Sequence, residues 1–426
     1  MRDFETRLNK LLTWINECVP TAGSAPFVSS RITVKNSPDS GRGLYAVDHI
    51  RASEKIVTIP HSLLLNYTTV VAHISKFAPF SLQEPYYGKV NVPSTPIDPV
   101  TEIYKTFSLD TLLRLSSFQL LGLYLVLEKR RGENSFWKPF LDMLPELDEL
   151  SSAPIVWTIL KHSEAEHLTR MLPRSTRKHT NDVVSRFEND YNRVSDFLGS
   201  ATHISKEDFL WAWMCINSRC LYMEMPQKSD ASDNFTLAPY VDFLNHSGND
   251  ECGIKIDAHG FHVLTSTPYK PDSELYFSYG PHSNEFLLCE YGFTLAYNKW
   301  NYVDISDLIM PLLRPQQVAF LKESGYYGDY TVNEQGASFR TEVALATLQE
   351  NEPSASRKLK AFVDGVIDGL VYQSKSWRLL GQIMKKLIGD SDKKLASEFS
   401  NPEGRAIATL YKDTKMIAEK TLKGLQ

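Results

Sequence analysis

Cysteine is scarce in this 426-residue chain. The five are Cys18, Cys215, Cys220, Cys252 and Cys289, an odd number with no Cys-x-x-Cys spacing. That argues against a disulfide framework or a structural zinc site, and a reducing compartment is the simpler reading. A basic surplus is also missing. Lys and Arg number 46 against 51 Asp and Glu, a formal net charge of −5. Direct nucleic-acid binding, which needs an excess of Lys and Arg, is not expected. No apolar run reaches the ~18 residues of a membrane span. The N-terminus, MRDFETRLNK, is charged and amphipathic rather than a signal core. No phosphate loop of the Gly-x-x-x-x-Gly-Lys type occurs, and no Gly-x-Gly-x-x-Gly opens a helix, so a Rossmann nucleotide site is not supported. The chain is expected to be soluble and monomeric, cytoplasmic with the nucleus as a second compartment, and without a metal.

What is present is ordinary globular composition, 42% hydrophobic and 23% charged. At this length two or three domains are the prior. Phe4, Leu8, Leu11, Leu12 and Ile15 recur at helical spacing. Arg31–Lys35 alternates like a short strand, and Lys55–Pro60 is an apolar strand. Between them, Ser40-Gly-Arg-Gly-Leu44 sets two glycines one residue apart, where a backbone can turn sharply or approach a ligand closely. From Asp110, Leu112, Leu115, Leu120, Leu123, Tyr124 and Leu127 trace a helix ending at Gly132, and an aromatic segment follows at 135–145. A helix over 205–223 has Ser205 as its cap and runs into Asn217-Ser-Arg219. Arg219, late in that helix, reads on its own as a dipole partner or a solvated side chain. Asp242-Phe-Leu-Asn-His246 is a short polar knot after an apolar run. The strand Glu274–Tyr279 ends at Gly280, and a helix stops at Gly292. Beyond residue 300 helical patterns dominate, at 315–323, 338–348, 354–372, 376–388 and 404–423.

Four segments occur in a fixed order: Ser40-Gly-Arg-Gly-Leu44, Asn217-Ser-Arg219, Asp242-x-x-Asn-His246, and Glu274–Gly280 followed by Glu290-Tyr-Gly-Phe293. This ordered set resembles the SET-domain lysine methyltransferases. It is most similar to the branch typified by the plant Rubisco large-subunit methyltransferase, which includes fungal ribosomal-protein and elongation-factor enzymes and the animal actin-histidine enzyme. The resemblance implies an α+β chain: a β-rich SET fold with a pseudoknot-like active site, a helical insert, and an all-α C-terminal substrate-binding domain. The expected parts are 1–105, the insert 106–223, the catalytic half 224–300, and the helical domain 301–426.

The resemblance also implies S-adenosylmethionine as cofactor and a non-histone protein as substrate, a ribosomal protein or translation factor. It assigns Ser40, Gly41, Arg42, Arg219, Asn245, His246 and Tyr291 to the cofactor. Asp242, Arg219, Tyr279 and Tyr291 go to the substrate, with Tyr279 catalytic. Arg42 is an unusual cation at its position, set either near the site or in solvent. Taken alone, His246 is a structural histidine, the tyrosines are core residues and Asp242 is a loop cap. Strand alternation puts Tyr276 and Tyr279 on opposite faces, which leaves Tyr276 to the core. Two other functions stay open: histidine methylation on the same scaffold, and a silent SET protein that binds a partner.

Overall fold

The computed structural model describes residues 2–17, 25–37, 41–82, 97–160, 163–225, 233–249, 252–257, 259–397, 399 and 401–425. In chain order it begins with α1 (Arg2–Glu17), β1 (Phe27–Val28), β2 (Ile32–Ser37), β3 (Gly41–Ala46), β4 (Lys55–Ile59), β5 (Leu65–Asn66) and α2 (Tyr67–Ile74). Helices follow: α3 (Pro99–Tyr104), α4 (Leu109–Leu112), α5 (Ser117–Arg131), α6 (Lys138–Leu141), α7 (Pro154–Leu160), α8 (Ala165–Met171), α9 (Arg174–Leu198) and α10 (Lys206–Arg219). The chain then returns to strands: β6 (Leu221–Tyr222), β7 (Phe235–Leu237), β8 (Asn245–His246), β9 (Cys252–Asp257), β10 (Gly260–Thr265) and β11 (Glu274–Phe277). The last part holds α11 (Asn284–Phe286), β12 (Tyr302–Asp304), α12 (Ser306–Ile309), α13 (Pro315–Glu323), β13 (Thr331–Asn333), β14 (Gly336–Ala337), α14 (Phe339–Thr347), α15 (Arg357–Val363), α16 (Leu370–Leu395) and α17 (Pro402–Gly424).

Two compact units divide the chain, 1–151 with 182–281 and 152–181 with 282–426. Among the described residues the first holds three small sheets. One has the order β1-β4-β10-β9, the second β2-β3-β11-β8, and the third β5-β7-β6. The second sheet positions the site. Its inner strand β11 pairs antiparallel with β3 through Glu274–Tyr45 and Leu275–Leu44. On its other edge β11 pairs parallel with β8, Tyr276 against Asn245 and Phe277 against His246. One strand thus joins residues near 45 to residues near 245, which is the expected knot.

Local chemistry explains where helices start. Ser205 caps α10 by accepting from Asp208 N at 3.0 Å, as its sequence predicts. The helical pattern expected from Asp110 is broken in two, because Ser116 and Gln119 form a capping box that starts α5 afresh. α5 ends at Gly132. Around α5 lies a sealed polar cluster. Glu128 accepts from Tyr104 Oη at 2.9 Å, Arg131 Nη1 at 2.9 Å and Ser135 Oγ at 2.5 Å. Arg131 Nε sits 2.8 Å from Asp98 Oδ2. The Arg131 and Glu128 side chains are both 0% exposed. Tyr124 Oη joins them to the aromatic segment, accepting from Trp137 Nε1 at 2.8 Å and bonding His73 Nδ1.

The second unit is helical, with one three-stranded sheet, β12-β13-β14, which the helical patterns past residue 300 did not announce. Its main core gathers Ile305, Leu321, Val332, Leu345, Leu359 and Met384. The single helix expected over 354–372 is interrupted: α15 ends at Val363, and Gly365 takes a positive φ of 70° that a helix cannot continue. A second cluster packs Trp157, Leu168, Leu288, Ile407 and Leu410 together, so part of the expected insert belongs to this unit. Four cysteines are described, Cys215, Cys220, Cys252 and Cys289, and all are free thiols. Among the described residues no helix is long and apolar enough to cross a membrane.

Candidate active site

The site begins with β3 lying against the knot. At Gly43 an added Cβ would fall 2.4 Å from Glu274 Oε1 and 3.0 Å from Asn245 Nδ2. Only glycine lets those two side chains meet there. Gly41 is different. It has φ +68°, and among the described residues nothing lies within 4 Å of where its Cβ would be. The two glycines therefore do separate work, Gly43 for packing and Gly41 for an open backbone cradle.

Glu274 is the hub that sequence reasoning missed. Its Oε1 accepts from Asn245 Nδ2 at 2.7 Å, and its Oε2 accepts from Tyr45 Oη at 2.9 Å and Tyr276 Oη at 2.8 Å. Asn245 Nδ2 also reaches Arg42 O at 3.2 Å. Asn245 thus ties β8 to β3 across β11. The available signal was the two-residue spacing of Glu274 and Tyr276, which puts both on one face of a strand.

Tyr279 and His246 meet beside this hub. β11 stops at Phe277, so the expected alternation does not extend to Tyr279. Its position comes from hydrogen bonds instead. Tyr279 N donates to His246 Nδ1 at 3.0 Å, and Tyr279 Oη donates to Leu244 O at 2.8 Å. The two rings lie 5.1 Å apart between centroids. The first bond sets the imidazole: Nδ1 is the acceptor, so a neutral His246 carries its proton on Nε2. Tyr276 is not simply core; it is half-buried, with its hydroxyl on Glu274.

The cationic side is built by Arg219, Asp242 and Arg42. Arg219, the last residue of α10, donates through Nη1 to Asp242 O at 2.9 Å and Asp242 Oδ2 at 3.1 Å. Asp242 is 2% exposed in its side chain. Burial raises its carboxyl above the usual range, against the pull of Arg219 and Arg42. Tyr240, just before this turn, holds a positive φ of 70° while 1% exposed. A non-glycine residue in that region costs about 1–3 kcal/mol and persists because its surroundings fix it. Arg42 neither hangs in solvent nor stands unpaired. Its Nη1 donates to Met143 O at 2.7 Å, and its Nη2 reaches both Glu149 oxygens at 2.9 Å. Burial, then the Arg219 charge, lowers its pKa.

Two atoms in this cluster remain unsatisfied. Arg219 Nε and Asp242 Oδ1 are buried without a hydrogen-bond partner among the described residues. A buried donor left unpaired costs about 1–3 kcal/mol. An unpaired guanidinium donor and an open glycine backbone fit a carboxylate-bearing cofactor such as S-adenosylmethionine.

Gly41, Arg42, Arg219, Asp242, Asn245, His246 and Tyr279 all fall in the first unit. Ser40 lies outside the described residues. Tyr291 belongs to the second unit, at the end of a π-helical turn, Leu287–Tyr291, which follows α11 and stops at Gly292. Its ring neighbours there are His282, Phe286 and Phe293. Glu290 beside it accepts a 2.8 Å bond with His179 Nε2. Among the described residues no group of three or more His, Cys, Asp or Glu side chains is placed to hold a metal.

Residues 41–280 match the SET domain model, and residues 301–424 match the model of the Ribosomal lysine N-methyltransferase 2 C-terminal domain. Ribosomal lysine N-methyltransferase 2 of Saccharomyces cerevisiae is 31% identical, covering 99% of this chain and 100% of its own. The chain belongs to the SET-domain protein-lysine methyltransferases. SET domain-containing protein 4 of Homo sapiens is 27% identical over 76% of this chain and 69% of its own. Among solved structures, Rubisco LSMT bound to AdoMet has the same fold, with a TM-score of 0.58 at 14% identity, over 98% of this chain and 91% of that one. The SET enzyme uses S-adenosylmethionine and acts on a protein.

Proposed function

We propose that this SET enzyme methylates a lysine side chain of a ribosomal protein, using the knot around Tyr279 as its transfer site. The ribosomal substrate rests on similarity to a ribosomal lysine N-methyltransferase along the whole of both chains. The site rests on one observation above the others: an arginine with an unsatisfied buried donor, Arg219, in the same knot as a tyrosine whose hydroxyl proton is committed, Tyr279.

S-adenosylmethionine supplies an electrophilic methyl group on a sulfonium. The residues do the rest. Arg219 would hold the cofactor carboxylate, with Asp242 bonded to Nη1 of its guanidinium. The Gly41 backbone lines the cofactor, and Arg42 serves it indirectly, as the clasp that ties β3 to Met143 and Glu149. Asn245 and His246 shape the wall, Asn245 through Glu274 and His246 through Tyr279 N. Tyr291 keeps its assignment to cofactor and substrate on its motif, Glu290-Tyr-Gly-Phe293, alone.

A lysine amine with pKa ~10.4 is charged at neutral pH and has no lone pair to attack with. Loss of solvation among aromatic walls favours its neutral form. Tyr279 Oη, its proton directed at Leu244 O, meets that amine as an acceptor and aims the nitrogen lone pair. That nitrogen would receive the methyl group, and its extra proton would leave to solvent. Orientation of this kind can supply ~7–11 kcal/mol of a barrier. No general base is required.

The deciding experiment is transfer of labelled methyl groups into ribosomes from cells lacking the enzyme, followed by site mapping. Label on a lysine of a ribosomal protein is expected. Label on histidine, or transfer only to non-ribosomal proteins, sinks the reading. Absence of both transfer and cofactor binding would make the chain a silent partner-binding protein.

A further inference from the structure

The second unit carries a cleft of about 440 Å³ that the chemistry above leaves unused. Its walls come from the β13–β14 turn, α14, the 362–377 stretch and the end of α17. Three carboxylates line it, Glu334, Glu342 and Asp368, against one cation, Lys420. That cation is already spent: Lys420 Nζ lies 2.5 Å from Glu334 Oε2. The other Glu334 oxygen, Oε1, is buried without a hydrogen-bond partner among the described residues. Partial burial raises the Glu342 carboxyl above its usual range, and no cation offsets it there. The rim is apolar and exposed. Leu370 is 63% exposed, and Trp377, about two turns further along α16, is 39% exposed. Exposed apolar side chains at the mouth of an acidic cleft suit an interaction surface.

We infer that this cleft docks a basic, amphipathic segment of the protein substrate, with lysine or arginine at Glu334, Glu342 and Asp368 and an apolar side chain against Leu370 and Trp377. The inference deepens the reading that the chain methylates a protein, and it rests on that reading for the source of the segment. Charge selects the occupant. Three carboxylates against one neutralised cation repel an anionic membrane surface, and a second copy of this chain carries a net charge of −5. A cationic segment instead gives the unpaired Glu334 oxygen and the Glu342 carboxylate the partners they lack, while its apolar residue covers the rim.

The test uses the full-length protein and short synthetic peptides, one alternating lysine and leucine, one lysine and glycine, one glutamate and leucine. Calorimetry is expected to show the lysine–leucine peptide binding at least ~10-fold tighter than either control. The double variant Glu342→Gln/Asp368→Asn and the single variant Trp377→Gln each weaken it about 10-fold, with cofactor affinity unchanged. These side chains are exposed, so the fold is retained. In turnover, both variants raise KM for the protein substrate by a similar factor and leave kcat near its original value. Equal binding of the three peptides, or unchanged affinity in both variants, overturns the cleft. Self-association abolished by Trp377→Gln also overturns it and gives the cleft to a second copy. Peptide binding that responds to the variants, without methyl transfer to any ribosomal protein, leaves the cleft standing and removes the functional reading.

Discussion

The first unit contains two polar clusters drawn from the same residue types, and they are built in opposite ways. Around α5, Asp98, Glu128 and Arg131 alternate charge, and Tyr104, Ser135 and Thr101 add hydrogen bonds to them. Around the knot, Arg42 and Arg219 face each other with like charge, and Arg219 Nε and Asp242 Oδ1 go unpaired. The first cluster is complete in its charges as folded, and His73 Nε2 beside it is a buried atom without a hydrogen-bond partner among the described residues. The second keeps a donor, Arg219 Nε, for an anionic group to accept from. A buried polar group is therefore no sign of function until its partners have been counted, and the remainder in that count is what a ligand recognises.

The comparison can be broken by taking one charge from the complete cluster. Arg131→Met leaves Glu128 and Asp98 buried without their cation, and a loss of about 3–5 kcal/mol is expected from urea unfolding. The double variant Glu128→Met/Arg131→Met should recover much of it. A double variant as unstable as the single one would mean that the cluster does not act as a unit.

In the open cluster the corresponding change leaves stability alone and shows in turnover. Tyr279→Phe removes the hydroxyl held by Leu244 O, and kcat should fall about 10²–10³-fold with cofactor affinity and melting temperature nearly unchanged, a difference of about 3–4 kcal/mol in barrier. Unchanged kcat would remove Tyr279 from the mechanism.

Acid provides a third contrast, smaller still. Burial, then the charges of Arg131 and Lys76, lowers the pKa of His73 in the complete cluster to about 3. The unfolded chain protonates at the usual 6.5. Between those values the unfolded state binds the extra proton, so stability contributed by neutral His73 is full above pH 6.5 and is lost as pH falls. By pH 5 that loss is about 2 kcal/mol. His73→Gln should flatten this part of the stability curve; an unchanged slope would locate the acid sensitivity elsewhere. The smallest effect is expected for Arg219→Lys. An ammonium cannot reproduce the forked donor, and cofactor affinity should weaken about 10-fold with the fold intact, as read by calorimetry.

Much of this was legible in the sequence, for local reasons. Ser205 as a cap, the stop at Gly132 and the strand at Lys55–Ile59 depend on neighbours a few residues away. The ordered motifs located the knot although the contacts that hold Asn245, His246 and Tyr279 span 29 to 203 residues. What stayed hidden is long-range. Nothing near Arg42 names Glu149, 107 residues on. Glu274 looked like a strand residue until Asn245, Tyr45 and Tyr276 were seen to share it. Tyr291 could be matched to a motif, but its helical turn falls with the second unit, and motif order says nothing about that.

The parallel pairing of β8 with β11, closed on the other edge by β3, has a consequence in time. Its strands are drawn from residues 41–46, 245–246 and 274–277. Contacts of such separation carry a high loop-closure cost and form late. During synthesis the amino-terminal strand must wait, already made, until more than two hundred further residues have emerged. Methyl transfer is thus a property the chain acquires only near the end of its folding, and no truncated product stopping short of β11 can have it.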